Sequence, residues 1–294
     1  MNADRLLALF EQISEAPDAI LRLRRFILDL AVRGKLVEQD PEDEPAEELL
    51  RNILIDSERN FGKRKARSSS AALSTDPPFV SPKTWVWTSL GMIGDWGSGS
   101  TPPRGQFDFY GGDVSWFKSG ELNDNKRLAG SEEAVTALAL EKCSFRFNKP
   151  GDVLIAMYGA TIGKLAILAE PAVTNQAVCA CTPSWGVDND YLYLFLLAWR
   201  EVFKQSSEGG AQPNISKIKI LQTPFPLPPL AEQHRIVAKV DELMALCDQL
   251  EQQLSQAEQS RRGLLEAVLR EALNEAGATY IEKAQAQCAT GARI

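Results

Sequence analysis

The sequence predicts an α+β protein: a strand-rich mixed domain over residues 81–226, flanked by an N-terminal helical segment over 1–60 and a long C-terminal coiled-coil helix over 227–275. Three observations predict it. Apolar residues recur at helical spacing at both ends of the chain. Short β-branched and aromatic runs, separated by glycine, proline and asparagine, fill the middle, and a proline cluster divides that middle from the last helix. A basic, serine-rich linker over 61–80 and a C-terminal tail over 276–294 complete the division.

The first segment reads as helices. Leu6, Leu7, Leu9, Phe10 and Ile13 form a short apolar face, and Pro17 suits the first turn of a second helix. In that helix Ile20, Leu23, Ile27, Leu30 and Ala31 repeat at helical spacing until Gly34 ends it. Beyond the acidic turn Asp40-Pro41-Glu42-Asp43-Glu44, Pro45 opens a third helix that runs to about Arg59 with Leu49, Leu50, Ile53 and Leu54 as its face. The linker that follows carries Lys63, Arg64, Lys65 and Arg67 among its serines.

The middle changes period. Strands are expected over Trp85 to Thr88, Val114 to Phe117, Asp152 to Tyr158, Leu165 to Leu168 and Ala177 to Cys181, interrupted by one helix, Tyr191 to Arg200. Gly159 to Gly163 reads as a hairpin between two of those strands. The run Pro224-Phe225-Pro226-Leu227-Pro228-Pro229 then stops the domain, because each ring fixes φ and removes a backbone donor.

A long helix starts directly afterwards. Val240, Cys247, Leu254 and Val268 recur in sevens on one seam, with Leu243, Leu250, Ala257 and Leu264 three residues later on the other. Arg261 interrupts the first seam while Met244, Leu265 and Leu269 widen the stripe, which predicts more than one neighbour. Ala231 to Leu273 would span roughly 65 Å, more than a small domain can bury, so the helix is a spacer, a dimerisation element or both.

Composition excludes several classes. The chain has 294 residues, 44% apolar and 24% charged, and no run of about 18 uncharged apolar residues that a membrane span needs. The start lacks a basic end followed by an apolar run, so a cytoplasmic protein is expected. Cys143, Cys179, Cys181, Cys247 and Cys288 lack CxxC spacing, and Cys179 and Cys181 fit core packing on one face of a strand. With His234 as the single histidine, no metal site and no catalytic triad are expected. Asp76-Pro77-Pro78-Phe79 matches the tetrapeptide with which adenine methyltransferases hold the target amine. A basic linker precedes it and no glycine-rich loop for S-adenosylmethionine occurs, so the match reads as coincidence.

Leu227-Pro228-Pro229-Leu230-Ala231-Glu232-Gln233, followed by Arg235-Ile236-Val237 and the heptad helix, resembles the junction between target recognition domain and conserved helix in DNA specificity subunits of type I restriction-modification enzymes. The run from Arg25 to Val37, with Gln39-Asp40-Pro41 and Glu44-Pro45-Ala46, resembles the same family. So do Gly97-Ser98-Gly99-Ser100-Thr101-Pro102, Tyr110 to Trp116, Gly151 to Ile155, Gly159 to Lys164, Thr174-Asn175-Gln176-Ala177 and Gly210 to Ser216. The resemblance covers about residues 10 to 273.

It implies that residues 81–226 are a target recognition domain that binds double-stranded DNA and does no chemistry. It also implies methyltransferase (M) partners carrying S-adenosylmethionine and restriction (R) partners using ATP and magnesium, with no cofactor bound by this chain. The usual subunit has two recognition domains; one is visible here. A homodimer through antiparallel helices, or pairing with another specificity subunit, would restore a two-domain reader of a bipartite target.

Arginine and lysine can bond two acceptors of guanine, and asparagine and glutamine can pair with adenine in the major groove. On that chemistry the candidate DNA contacts beside the turns are Arg104, Lys118, Asn123, Lys126, Arg127, Tyr158, Lys164, Gln212, Asn214 and Lys217. Net charge is −7, yet residues 81–226 carry 13 basic against 14 acidic groups. A near-neutral domain needs a partner to neutralise much of the phosphate charge. The acidic balance also suits an alternative, a coiled-coil adaptor whose head binds protein or glycan. That adaptor would give no DNA shift even with methyltransferase partners.

Overall fold

The computed structural model describes residues 18–56, 77–207 and 213–290, with side chains as far as 271. The expected helix over Leu6 to Ile13, Pro17, the basic stretch of the linker and Gln212 lie outside the described residues. The chain divides into two compact units, 1–243 and 244–294.

Helix α1 (Ala19–Val32) buries Ala19, Leu23, Ile27, Leu28, Ala31 and Val32. It ends at Gly34, whose φ of +66° lets the chain reverse. There Lys35 N–H donates to Leu30 O at 2.9 Å and Gly34 N–H to Ala31 O at 3.3 Å, a Schellman closure that satisfies two otherwise orphaned carbonyls. Helix α2, over residues 46–56, buries Ala46, Leu49 and Ile53.

Three sheets follow. The five-stranded sheet has the order β2 (Gly94–Ser98), β9 (Val178–Pro183), β6 (Val153–Ala156), β7 (Leu165–Leu168), β4 (Asn125–Leu128). Its pairs are antiparallel except β4 with β7. The three-stranded sheet places β3 (Tyr110–Phe117) between β5 (Glu133–Val135) and β8 (Val173–Thr174). Strand β1 (Val86–Ser89) pairs antiparallel with β10 (Pro224–Leu227). Every residue of β6 and β7, and the first four of β9, is buried. Leu154, Ala166, Leu168, Val178 and Ala180 pack there with Phe117 and Leu122 into one core cluster. Cys179 and Cys181 sit within that strand, where burial raises both thiols, pushing Cys179 up to about 12.

Two expectations change. The proline run is not merely a stop, because Pro224 to Leu227 is itself a strand; a two-stranded ladder leaves an open edge where alternate prolines are tolerated. The middle also holds more than one helix: α3 (Ala137–Lys142), α4 (Asn189–Ala198), α5 (Arg200–Gln205) and α6 (Lys217–Gln222). Three of these have six residues, too few to show an apolar period, and caps mark two of them. Thr136 accepts from Ala139 N–H and Ser216 from Lys219 N–H, each at 3.3 Å. Strands β2 and β4 carry no strand signal of their own, because Gly94-Asp95-Trp96-Gly97-Ser98 and Asn125-Lys126-Arg127-Leu128 are rich in glycine and charge.

Helix α7 runs Leu230–Thr290, past Leu273 and through most of the stretch read as a tail. In its first part Ile236, Val240, Leu243 and Cys247 are buried; Leu254, Leu264 and Val268 are exposed.

Candidate nucleic-acid interface

Register places one set of loops at a common rim. Ser98 at the end of β2 lies opposite Cys179, next to the start of β9, and Val178 lies opposite Ala156 at the end of β6. Leu165, the start of β7, faces Ile155, and Asn125, the start of β4, faces Ala166. The segments 99–101, 175–177, 157–164 and 123–124 therefore all emerge from the same end of the five-stranded sheet.

Further bonds knit that rim. Ser100 N–H donates to Thr174 O at 2.9 Å, and Thr101 bonds Gln176 side chain to side chain. A Cβ at Gly99 would overlap the Thr174 carbonyl oxygen, so the close approach of these loops requires glycine there. Residues 213–215 lie along 157–159: Gly159 N–H donates to Pro213 O at 2.8 Å, Ile215 N–H donates to Met157 O at 2.9 Å, and Tyr158 and Asn214 form a bridge. Ser216 then caps α6 and leaves Lys217 exposed in its first turn. Strand β3 delivers Lys118 to the same region, since Asn175 N–H donates to Phe117 O at 3.0 Å.

Of the candidates read from sequence, Asn123, Tyr158, Lys164, Asn214 and Lys217 thus share one rim, with Lys118 beside it. Lys164 Nζ donates to Asn123 Oδ1 at 2.9 Å, joining two loops through a neutral partner. Neither Lys164 nor Lys217 is ion-paired among the described residues.

The other cations are already paired. Glu133 takes Arg104 Nη1 at 2.7 Å and Lys118 Nζ at 2.9 Å, while Lys118 also reaches Glu132 at 3.0 Å. Arg104 and Lys118 hold the Glu133 carboxyl down at about 2, and Glu133 in turn raises both cations. The Arg104 guanidinium rests over the rings of Tyr110 and Trp116, 5.0 and 5.4 Å from their centroids. Lys126 and Arg127 lie further along β4, where they pair with Asp241 and Asp190.

Asp124 stands outside the residues that side-chain chemistry nominates. Its φ of +63° is a left-handed backbone at a non-glycine residue, and aspartate is among the few side chains that tolerate it. Its carboxylate accepts Leu165 N–H at 3.1 Å and pairs with Arg200, and its carbonyl accepts the Tyr193 hydroxyl at 2.7 Å. This fixes the turn carrying Asn123 against the start of β7. The signal lay in Asn123-Asp124-Asn125, a turn-forming triplet, but Arg200 is too distant in sequence to suggest the pair.

His234, which offered no evident partner in sequence, stands 3.6 Å from Asp188. Among the described residues no group of three or more histidine, cysteine or carboxylate side chains could hold a metal ion, and no helix is long and apolar enough to cross a membrane.

The family model described as the type I restriction modification DNA specificity domain matches residues 82–259, more than half of the chain. The chain is 31% identical over 264 residues to the type I restriction enzyme EcoAI specificity subunit of Escherichia coli, covering 85% of this chain and 44% of the relative. It is 26% identical to the EcoEI specificity subunit of the same species, covering 93% and 48%. It therefore spans about half the length of these relatives. Among solved structures, a chain of a type I R-M system matches with TM-score 0.55 at 21% identity over 92% of this chain and 57% of its own length. The HsdS subunit from Thermoanaerobacter tengcongensis matches with TM-score 0.50 at 20% identity over 85% and 51%. These likenesses show the shared mixed α+β fold with its long helix.

Proposed function

Because the chain belongs to the type I restriction modification DNA specificity family, we propose that its recognition unit reads one part of a bipartite double-stranded DNA target for partner subunits that perform the chemistry. The observation that carries this reading is the convergence of Asn123, Tyr158, Lys164, Asn214 and Lys217 on one rim of the five-stranded sheet. Asparagine offers the donor and acceptor that adenine matches, and lysine suits guanine O6 and N7 or a phosphate. Lys164 and Lys217 carry the direct contact, and Arg104, Lys118, Lys126 and Arg127 first have to leave their carboxylates. Gln212 stands two residues before Asn214 in the sequence, outside the described residues.

Methyltransferase subunits dock on the chain and supply S-adenosylmethionine, restriction subunits bring ATP and magnesium, and this chain binds no cofactor. Modification falls on adenine. Two copies, or this chain and another specificity subunit, pair through Leu250, Leu254, Ala257, Leu264 and Val268 and so present two recognition units; Val240, Leu243 and Cys247, expected on the same seam, are already buried within the single chain. Methylome sequencing of a host expressing the chain with its methyltransferase tests this. The expected result is one methylated adenine motif with two specified halves and a fixed gap, lost when the chain is deleted; an unchanged methylome contradicts the reading.

The pairing of four nominated cations with the chain's own carboxylates favours a second reading, an adaptor whose head binds protein or glycan. It predicts no duplex binding at any salt concentration in the presence of the methyltransferase.

A further inference from the structure

Three residues in the first two turns of α7 grip the rest of its unit from different directions. Gln233 is fully buried and fully bonded: its Oε1 accepts Asp188 N–H at 2.8 Å, and its Nε2 donates to Gly186 O and to Pro228 O, both at 3.1 Å. Gly186 and Asp188 lie in the loop between β9 and α4, within the recognition unit. Arg235 forms a two-pronged bond to Asp43, at 3.0 and 2.6 Å, in the turn between α1 and α2. Glu232, also buried, accepts Gln39 Nε2 at 2.6 Å, and Gln39 in turn accepts the Thr84 hydroxyl just ahead of β1.

At 3.6 residues per turn, Glu232 and Arg235 lie about 60° apart around the helix, and Gln233 lies about 100° beyond Glu232 on the other side. The first two face the helical pair, and the third faces the loop before α4. Apolar packing alone lets a helix roll by small steps, because it is non-directional. Bonds of fixed length on two sides about 160° apart, from Arg235 to Gln233, do not.

We infer that Gln233, Arg235 and Glu232 form a rotational lock that fixes the recognition unit on α7, and so sets the gap at which a paired assembly reads its two half-targets. The inference rests on the proposed reading of a bipartite target. They are positioning residues, remote from the rim that meets DNA. When two copies pair through their helices, roll of a helix in its socket becomes rotation of one recognition unit against the other. One base pair of gap corresponds to about 35° of rotation and about 3.4 Å of rise, so a joint that rolls by that much loses the distinction between neighbouring gaps. The lock explains why Glu232, Gln233 and Arg235 stand together directly after the prolines: the helix is gripped where it begins.

The test uses the full chain assembled with its methyltransferase, and duplexes carrying the methylated motif with the native gap or a gap one base pair shorter or longer. A duplex with one half-target serves as control. Wild type is expected to favour the native gap by about tenfold or more, since a misplaced half-target forfeits at least one base pair of recognition. Gln233→Ala and Arg235→Lys are expected to narrow that preference to about threefold or less, with single-half-target binding unchanged. Arg235→Lys keeps the charge but not the two-pronged geometry, and its partly exposed site makes it the variant least prone to misfold. Unaltered gap preference in both variants overturns the inference, as does an equal loss on all duplexes, which marks a purely structural role. Wild type that retains no duplex at any gap overturns the proposed DNA reading, and the lock falls with it.

Discussion

At the scale of single residues, the candidate cations divide, among the described residues, into two without an ion-pair partner, Lys164 and Lys217, and four already paired, Arg104, Lys118, Lys126 and Arg127. Lys164 and Lys217 are expected to contribute directly, so Lys164→Ala and Lys217→Ala should each weaken duplex binding and lower the salt slope by about one. Lys126→Ala removes a cation paired to Asp241 and should change that slope less; titrations at several salt concentrations measure the contrast. Glu232 makes a pH prediction. Burial raises its carboxyl above the usual glutamate range, with Gln39 among the groups opposing that shift. As pH climbs from the ordinary glutamate value toward that raised value, the unfolded chain loses a proton that the folded chain keeps, so stability falls across the window. Glu232→Gln retains an acceptor for Gln39 without the charge. Its urea midpoint should therefore hardly change over that pH range while the wild-type midpoint declines; parallel curves would contradict the assignment.

At the scale of elements, α7 holds the clearest division. Ile236, Val240, Leu243 and Cys247 are buried, whereas Leu264 is 69% and Val268 54% exposed, with Leu265 and Leu269 beside them. An apolar seam of that length calls for another helix. Leu264→Glu with Val268→Glu should abolish self-association, measured by light scattering, and leave the melting of the recognition unit unchanged. If self-association survives the double substitution, the pairing seam lies elsewhere. The long helix was legible because an apolar repeat declares itself over many turns, as was the hairpin around Gly159 and Gly163, whose φ values of +62° and +77° glycine accommodates. Strands such as Asn125–Leu128 were not legible, because a short charged strand is recruited by its neighbour β7 rather than by its own pattern. Nor was the rim, because the pairs Asn123 with Lys164 and Tyr158 with Asn214 depend on tertiary register that sequence spacing does not encode. Residue chemistry nominated Arg104 and Lys118 as readily as Lys164 and Lys217; Glu133 distinguishes them only once the chain has folded.

At the scale of the whole molecule, a net charge of −7 and a middle with 13 basic against 14 acidic groups set a limit on what the chain does alone. Counterion release scales with the phosphates neutralised, so a chain of this charge gains little duplex affinity from that source alone, and the proposed function assigns the remainder to partner subunits. In the proposed function, this chain gives an assembly with methyltransferase subunits its DNA target. Size-exclusion chromatography with light scattering, on the chain alone, then with the methyltransferase subunit of a type I restriction-modification system, then with duplex, is the decisive test. The expected result is a dimer that takes up two methyltransferases and retains duplex DNA in a salt-dependent way. A monomer that ignores the methyltransferase, or an assembly that forms and retains no duplex, would contradict it.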